Sequence, residues 1–175
     1  PINLANCIYN KKNINRYSPI TMANWFNEFA NNAKKNLLKA IKIIKKRNDP
    51  ELLRLEIDIN ILIGIGKFFS YKIKSACYWE LFLKEKKYSL GHKSLQFYKK
   101  SYFAWSKIAK ISKQYYLKDL TYGPQSWLRG RWDDRLPAIK DDIIKMTNIL
   151  NKTSKKINKK YDVFELGAWN NNQIF

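Results

Sequence analysis

Apolar positions recur along this chain at intervals of three and four, separated by short polar breaks, and that spacing predicts an all-α protein. Ser18-Pro19 supplies a helix entry, with Thr21 as a second cap candidate. From there Phe26, Phe29, Ala33, Leu37, Ala40 or Ile41, and Ile44 form one stripe. Lys34, Lys35, Lys39, Lys42, Lys45 and Lys46 fall mostly off it, so an amphipathic helix is expected, ending near Arg47. Its cationic last turn suits the negative end of the helix dipole. Asn48-Asp49-Pro50-Glu51 then reads as a restart in which Asp49 caps, Pro50 takes the first helical position and Glu51 sits in the first turn.

The second helix is expected from Pro50 to about Lys86. Its middle is apolar nearly all round, with Ile57, Ile59, Ile61, Leu62, Ile63, Ile65, Phe68 and Phe69, as befits a central helix. Ile57 to Ile65 alternates like a strand, but the helical period continues on both sides. Gly64 and Gly66 each cost a helix ~1 kcal/mol relative to Ala. That cost makes sense where another helix crosses closely or where the helix bends.

Lys86 to His92, containing Ser89 and Gly91, reads as a short turn. A third helix follows with Leu95, Tyr98, Tyr102, Trp105 and Ala109 on one stripe and Lys99, Lys100, Lys107 and Lys110 largely outside it. Rings at that spacing form a buried seam more readily than a stacking platform. Tyr115 to Arg135 is a long connection, a type that is uncommon without a functional reason. Leu136, Ile139, Ile143, Met146 and Leu150 mark a fourth helix, with Pro137 in its first turn, and fraying is expected beyond Asn151. The expectation is a helical bundle of about four main helices over 18–154, with one long loop before the last, an arm over 1–17 and a tail over 155–175. Phe164, Leu166 and Trp169 of the tail are candidates for docking on the bundle or on a neighbouring domain.

Composition narrows this picture little. The 175 residues are 45% hydrophobic and 15% aromatic, enough for one core. The chain opens on Pro1 with no leader pattern and reads as a mature or excised piece. The longest apolar run, broken by Asn60 and Lys67, falls short of the ~18 residues of a membrane span. Two cysteines, Cys7 and Cys77, make no disulfide framework; two free thiols are favoured over a single bridge. The compartment stays open.

The net charge of +20 would attract RNA or another polyanion through its long-range field. A rival explanation is codon bias. Only six of the 34 basic residues are Arg, Asn and Ile are abundant, and the lysines are spread over all helices instead of gathered into a footprint. The spread favours bias.

Standard catalytic signatures are absent from the string: no phosphate-binding loop, HExxH, GxSxG or Cys/His cluster. Hence no catalytic residue, metal ligand or cofactor is assigned. His92 stands alone, which excludes any mechanism needing a histidine pair. Leu120 to Asp142 is the chemically distinctive stretch. Asp119, Asp133, Asp134, Asp141 and Asp142 gather here, and paired carboxylates can hydrolyse a glycosidic bond, though capping and ion pairing are the commoner use of such acids. Arg129, Arg131 and Arg135 are half of the chain's six arginines. In a lysine-rich chain they mark places that need a planar, bidentate donor. Either they lock the loop onto Asp133, Asp134, Asp141 or Asp142, the favoured reading, or they receive an external anion. Trp127 and Trp132 stack on sugars or anchor the loop on the core. Trp127, Arg129, Trp132, Asp134 and Arg135 are thus the candidates for ligand binding or loop locking.

The string LTYGPQSWLRGRWDDRLPAIKDDI resembles a pattern of the C-terminal helical region of large bacterial glycoside-hydrolase-like proteins: Tyr, a hydrophobic residue and T-F-G, then after a few residues R-G-H-W, D-R-L-P-A-I and D-x-D-I. Thr121, Tyr122, Gly123, Arg129, Gly130, Trp132, Asp134, Arg135, Leu136, Pro137, Ile139, Asp142 and Ile143 fall on pattern positions. LRLEIDINILIGIGKFFSYKIKSACYWEL and SLQFYKKSYFAWSKIA are similar to the long helix and the next helix of that region, so the resemblance spans roughly residues 50 to 146. Arg131 stands where the pattern has His, so any chemistry of that His is absent here. The resemblance implies an accessory helical module of a carbohydrate-active protein, non-catalytic or lining the substrate rim, with a carbohydrate and a catalytic domain earlier in the same polypeptide as partners. A basic module binding RNA or another polyanion, and a helical protein-interaction module, are the alternatives.

Overall fold

The computed structural model describes residues 17–45, 49–121, 123–125 and 129–158. Four α-helices account for most of them: α1 (Pro19–Ile43), α2 (Pro50–Glu85), α3 (Tyr88–Tyr115) and α4 (Leu136–Asn158). The protein is all-α, with a bundle-like arrangement. Between α3 and α4 lie two-residue strands β1 (Leu120–Thr121) and β2 (Arg129–Gly130) and one 3-10 turn, Trp132–Arg135. The long connection expected before the last helix therefore carries local structure of its own. No helix is long and apolar enough to cross a membrane, among the described residues.

The caps follow the residue chemistry. Ser18 Oγ accepts the Thr21 amide at 3.0 Å, and Asp49 Oδ1 accepts those of Glu51 and Leu52 at 2.9 and 3.3 Å, with Pro19 and Pro50 opening their helices. α1 stops at Ile43, a turn short of the expected Arg47, which itself lies outside the described residues. Lys86 closes α2 in the left-handed region at φ 57 and sends the chain straight into α3. Residues 88–92 are consequently helical, not a turn, because a single left-handed residue is enough to reverse the chain. At the other end, α4 continues through Asn158 where fraying was expected from Asn151.

α2 is the hub: α1 packs along one side of it and α3 along the other, while α4 lies on α3 and reaches α2 through side chains. The core has three parts. Phe68, Tyr98, Ala104 and Ile139 form the middle; Ile57, Ile61 and Ile108 one end; Phe82, Leu95 and Leu150 the other. The ring stripe of α3 lies in this core, Tyr98 being 8% exposed, as a seam and not as an open platform. Expected core positions fail on two helices: on α2, Leu62 and Phe69 are 64% and 44% exposed, and on α1, Phe29 is 65% exposed and the helix instead sits on α2 through Ala23 and Ala30. Small residues win there because α1 comes too close for a ring.

The two glycines of α2 explain that closeness. A Cβ on Gly64 would overlap Ile108 of α3, and one on Gly66 would lie 3.1 Å from Ala30 Cβ and 3.2 Å from the Phe26 carbonyl of α1. Helices thus cross tightly on both sides of α2. Buried serines continue the α2–α3 contact: Ser75 Oγ donates to the Ser94 carbonyl at 2.9 Å and Ser94 Oγ to the Ser75 carbonyl at 2.8 Å. Cys77 is a free, fully buried thiol, and burial pushes its pKa up to about 11; Cys7 lies outside the described residues.

A Gly64→Ala substitution gains helix propensity of about 1 kcal/mol but overpacks against Ile108, at a cost of about 1–3 kcal/mol. The expected net loss of stability, read from urea unfolding, is smaller in an Ile108→Ala background, because the neighbour it strikes is gone. Additive effects in this double-mutant cycle would contradict the close crossing.

Candidate functional site

The distinctive stretch folds as a brace between the ends of α3 and α4. β1 and β2 pair antiparallel, with Leu120 opposite Gly130 and Thr121 opposite Arg129. Arg129 Nη2 reaches Asp119 Oδ2 at 2.5 Å across the mouth of this ladder. Both side chains are more than half exposed, so the pair contributes about 0–1 kcal/mol. Its partner is Asp119 and not one of the four acids expected to hold the loop.

Gly130 turns the chain at φ 112, and a Cβ there would meet Asp134 Oδ2 at 2.6 Å. The same oxygen accepts the Arg131 amide at 2.6 Å, which ties the carboxylate to the start of the 3-10 turn. Glycine is required here twice, by its φ and by the approach of that carboxylate. The Arg131 guanidinium pairs with Asp133 at 3.0 Å.

Trp132 is the anchor of the brace. Its carbonyl accepts from Trp105 Nε1 at 2.6 Å, the two ring centres are 5.3 Å apart, and its side chain lies against the Ile57, Ile61 and Ile108 end of the core. Farther along, Tyr98 donates to Asp142 Oδ2 at 2.6 Å, joining α3 to α4. Burial first, and then this bond to Asp142, raise the tyrosine pKa well above its usual value.

The predicted residues therefore divide. Arg129, Trp132 and Asp134 are drawn into one small folded unit by bonds to neighbours in the same region. Arg135 is exposed at the end of the 3-10 turn. Trp127 lies outside the described residues. Asp141 approaches Lys145 only at 3.9 Å on the surface, and His92 bonds the Tyr88 hydroxyl at 3.0 Å, also on the surface. Among the described residues no cluster of His, Cys, Asp or Glu has the makings of a metal site.

Beside this brace lies an open cleft of about 340 Å³ that sequence patterning did not single out. Pro50, Leu53, Arg54, Ile57 and Asp58 from the start of α2 face Tyr115 and Tyr116 from the end of α3. Tyr116 OH donates to Asp58 Oδ1, and its ring packs on the same isoleucines as Trp132. Tyr115 is 54% exposed. Roughly sixty residues separate the two walls, so no local motif could reveal them. The available signal was a Tyr-Tyr pair where the buried stripe of α3 runs out.

No family model, curated protein or solved structure matches this chain.

Gly130→Ala is expected to cost about 1–3 kcal/mol through left-handed backbone strain. Arg129→Ala should cost at most about 1 kcal/mol, as an exposed pair does. Amide exchange at Arg131 and urea midpoints measure both; equal effects would mean that the turn, as described, does not hold the brace.

Proposed function

We propose that this chain is a non-catalytic helical module of a carbohydrate-active protein, and that it contacts sugar at the cleft between the start of α2 and the end of α3. The carrying observation is the cleft's composition: an exposed tyrosine ring beside a guanidinium and a carboxylate, built against the core face that seats Trp132. An aromatic face covers the C–H side of a sugar, while Arg54 and Asp58 can donate to and accept from its hydroxyls. The string resemblance over residues 50–146 supports the carbohydrate class. The non-catalytic half is supported by the commitments of four of the five local acids, Asp141 being the surface exception. Asp119 and Asp133 hold arginines, Asp134 holds a backbone amide and Asp142 holds a tyrosine hydroxyl. A general acid and base need carboxyls presented to the substrate instead.

Affinity electrophoresis of the full chain against neutral β-glucans, xylan and uronic-acid polysaccharides tests this reading. Retardation by at least one polymer is expected, weakened tenfold or more by Tyr115→Ala, with no new reducing ends. No retardation, or retardation indifferent to that substitution, overturns the sugar contact. Hydrolysis that disappears with Asp134→Asn overturns the non-catalytic half.

One observation favours a second reading, polyanion binding. Lys67 donates to Asn27 Oδ1 at 2.6 Å and also to Asn31, and its pKa is lowered by burial and then by the charges of Lys34 and Lys74. Three mutually repelling cations would be relieved by an anion. If RNA neutralises them, replacing all three with Gln should flatten the slope of log affinity against log salt by about 2 for a single strand. An unchanged slope removes this reading.

A further inference from the structure

The outer face of the α1–α2 hairpin is apolar, open and regular. The approach of Ala30 to Gly66 fixes the antiparallel register. Seven residues on in α1 and seven back in α2, Leu37 and Ile59 line one open groove of about 420 Å³, and a further seven bring Ile44 and Leu52 into it. Beside this seam two stripes repeat at the same interval. Phe29, Asn36 and Ile43 mark α1; Leu55, Leu62 and Phe69 mark α2. Phe29 is 65% exposed, Ile43 79%, Leu55 56% and Leu62 64%. The other flank of the hairpin is mixed: Asn27 and Asn31 hold Lys67 there, and Leu38 and Leu53 are 51% and 42% exposed. The apolar groove between the two helices lies on the first flank.

We infer that this face is the docking site for an amphipathic helix with acidic flanks, contributed by a partner protein. Two antiparallel helices repeating every seven residues, with an open groove between them, present two sides of a three-helix seam; a third helix carrying apolar residues at spacings of three and four completes it. From Phe29 to Ile43 the stripe is about 21 Å long at 1.5 Å per residue, so four turns of partner helix cover it. Charge selects the flanks. Lys35, Lys39 and Lys42 stand exposed along α1 and Lys72 along α2; the acids here are Glu28, Glu51 and Glu56, the last in the groove wall itself, so the excess is basic and greatest along α1. A second copy is disfavoured, because each chain carries a net charge of +20 and two copies repel. This inference stands apart from the sugar-binding reading: its face is on α1 and α2, away from Tyr115.

The test uses the full chain and a labelled 21-residue helical peptide with Leu at the seam positions and Glu on both flanks, followed by fluorescence anisotropy. Saturable binding is expected, weakened at least tenfold by Leu62→Asp and by Ile43→Asp. Leu117→Asp, an exposed apolar site elsewhere, should leave it unchanged. The same peptide with Lys flanks should not bind. Circular dichroism melts of the variants keep a loss of binding separate from a loss of fold. Equal binding of both peptides, or equal effects of Leu62→Asp and Leu117→Asp, overturns the inference. So does self-association in sedimentation that Leu62→Asp abolishes, since the occupant would then be a second copy.

Discussion

Where α2 crosses α3, Gly64 leaves no room for a Cβ beside Ile108, and Ser75 and Ser94 trade hydrogen bonds to each other's carbonyls. These contacts set how close the two longest helices come. A buried hydroxyl without a partner costs about 1–3 kcal/mol; here the exchange satisfies both hydroxyls only if the backbones are near enough for each side chain to reach across. Glycine supplies the nearness and serine exploits it. Ser101 and Ser112 on α3 are also buried and bond back to carbonyls of their own helix at 2.7 and 3.1 Å, which keeps the interface thin along its length.

Everything on the α4 side follows from that spacing. A thin α2–α3 layer lets one helix span both, and α4 does so. Ile139 meets Phe68 and Tyr98 in the middle, and Leu150 closes over Phe82 and Gly91 at the end. A side chain at Gly91 would strike Leu150, so the glycine that resembles a turn residue in the string is there to admit α4. The brace between β1 and the 3-10 turn then has one task that packing cannot perform, which is to deliver the chain from the end of α3 back onto its own flank. Trp132 fixes the landing point, and Tyr98 to Asp142 fixes the rotation of α4.

Much of this was legible in the string. Asp49-Pro50, the aromatic stripe of α3 and the stripe of α4 specify their helices because each is a local signal that the packed state does not oppose. Phe29 misled, since a stripe of period 3.6 does not say which of two neighbouring faces is buried; the Ala30 to Gly66 approach decided it, and that contact is between helices. The start of α3 was hidden because Ser89 and Gly91 carry turn propensity that tertiary contact with Leu150 overrides. Arg129 was recognisable as a special cation, but Asp119 as its partner depends on the β1–β2 register. The cleft at Tyr115 was illegible for the same reason: its walls meet only after α2 and α3 have folded against each other.

The charge and the apolar face belong to one problem. A chain at +20 repels itself, and that repulsion protects it from the self-association that exposed Phe29, Ile43, Leu55 and Leu62 would otherwise promote. A codon bias toward lysine would spread cations over every helix, but it gives no reason for Leu55, Leu62 and Phe69 to keep a seven-residue interval on α2 opposite Phe29 and Ile43 on α1. Regular exposure on both sides of a seam costs solubility with no return inside the fold, because α1 already has its anchor in Ala23 and Ala30. An interval kept without an internal use points outward. The mixed flank at Lys67 and the grooved apolar flank at Leu62 then give the hairpin two different outer surfaces.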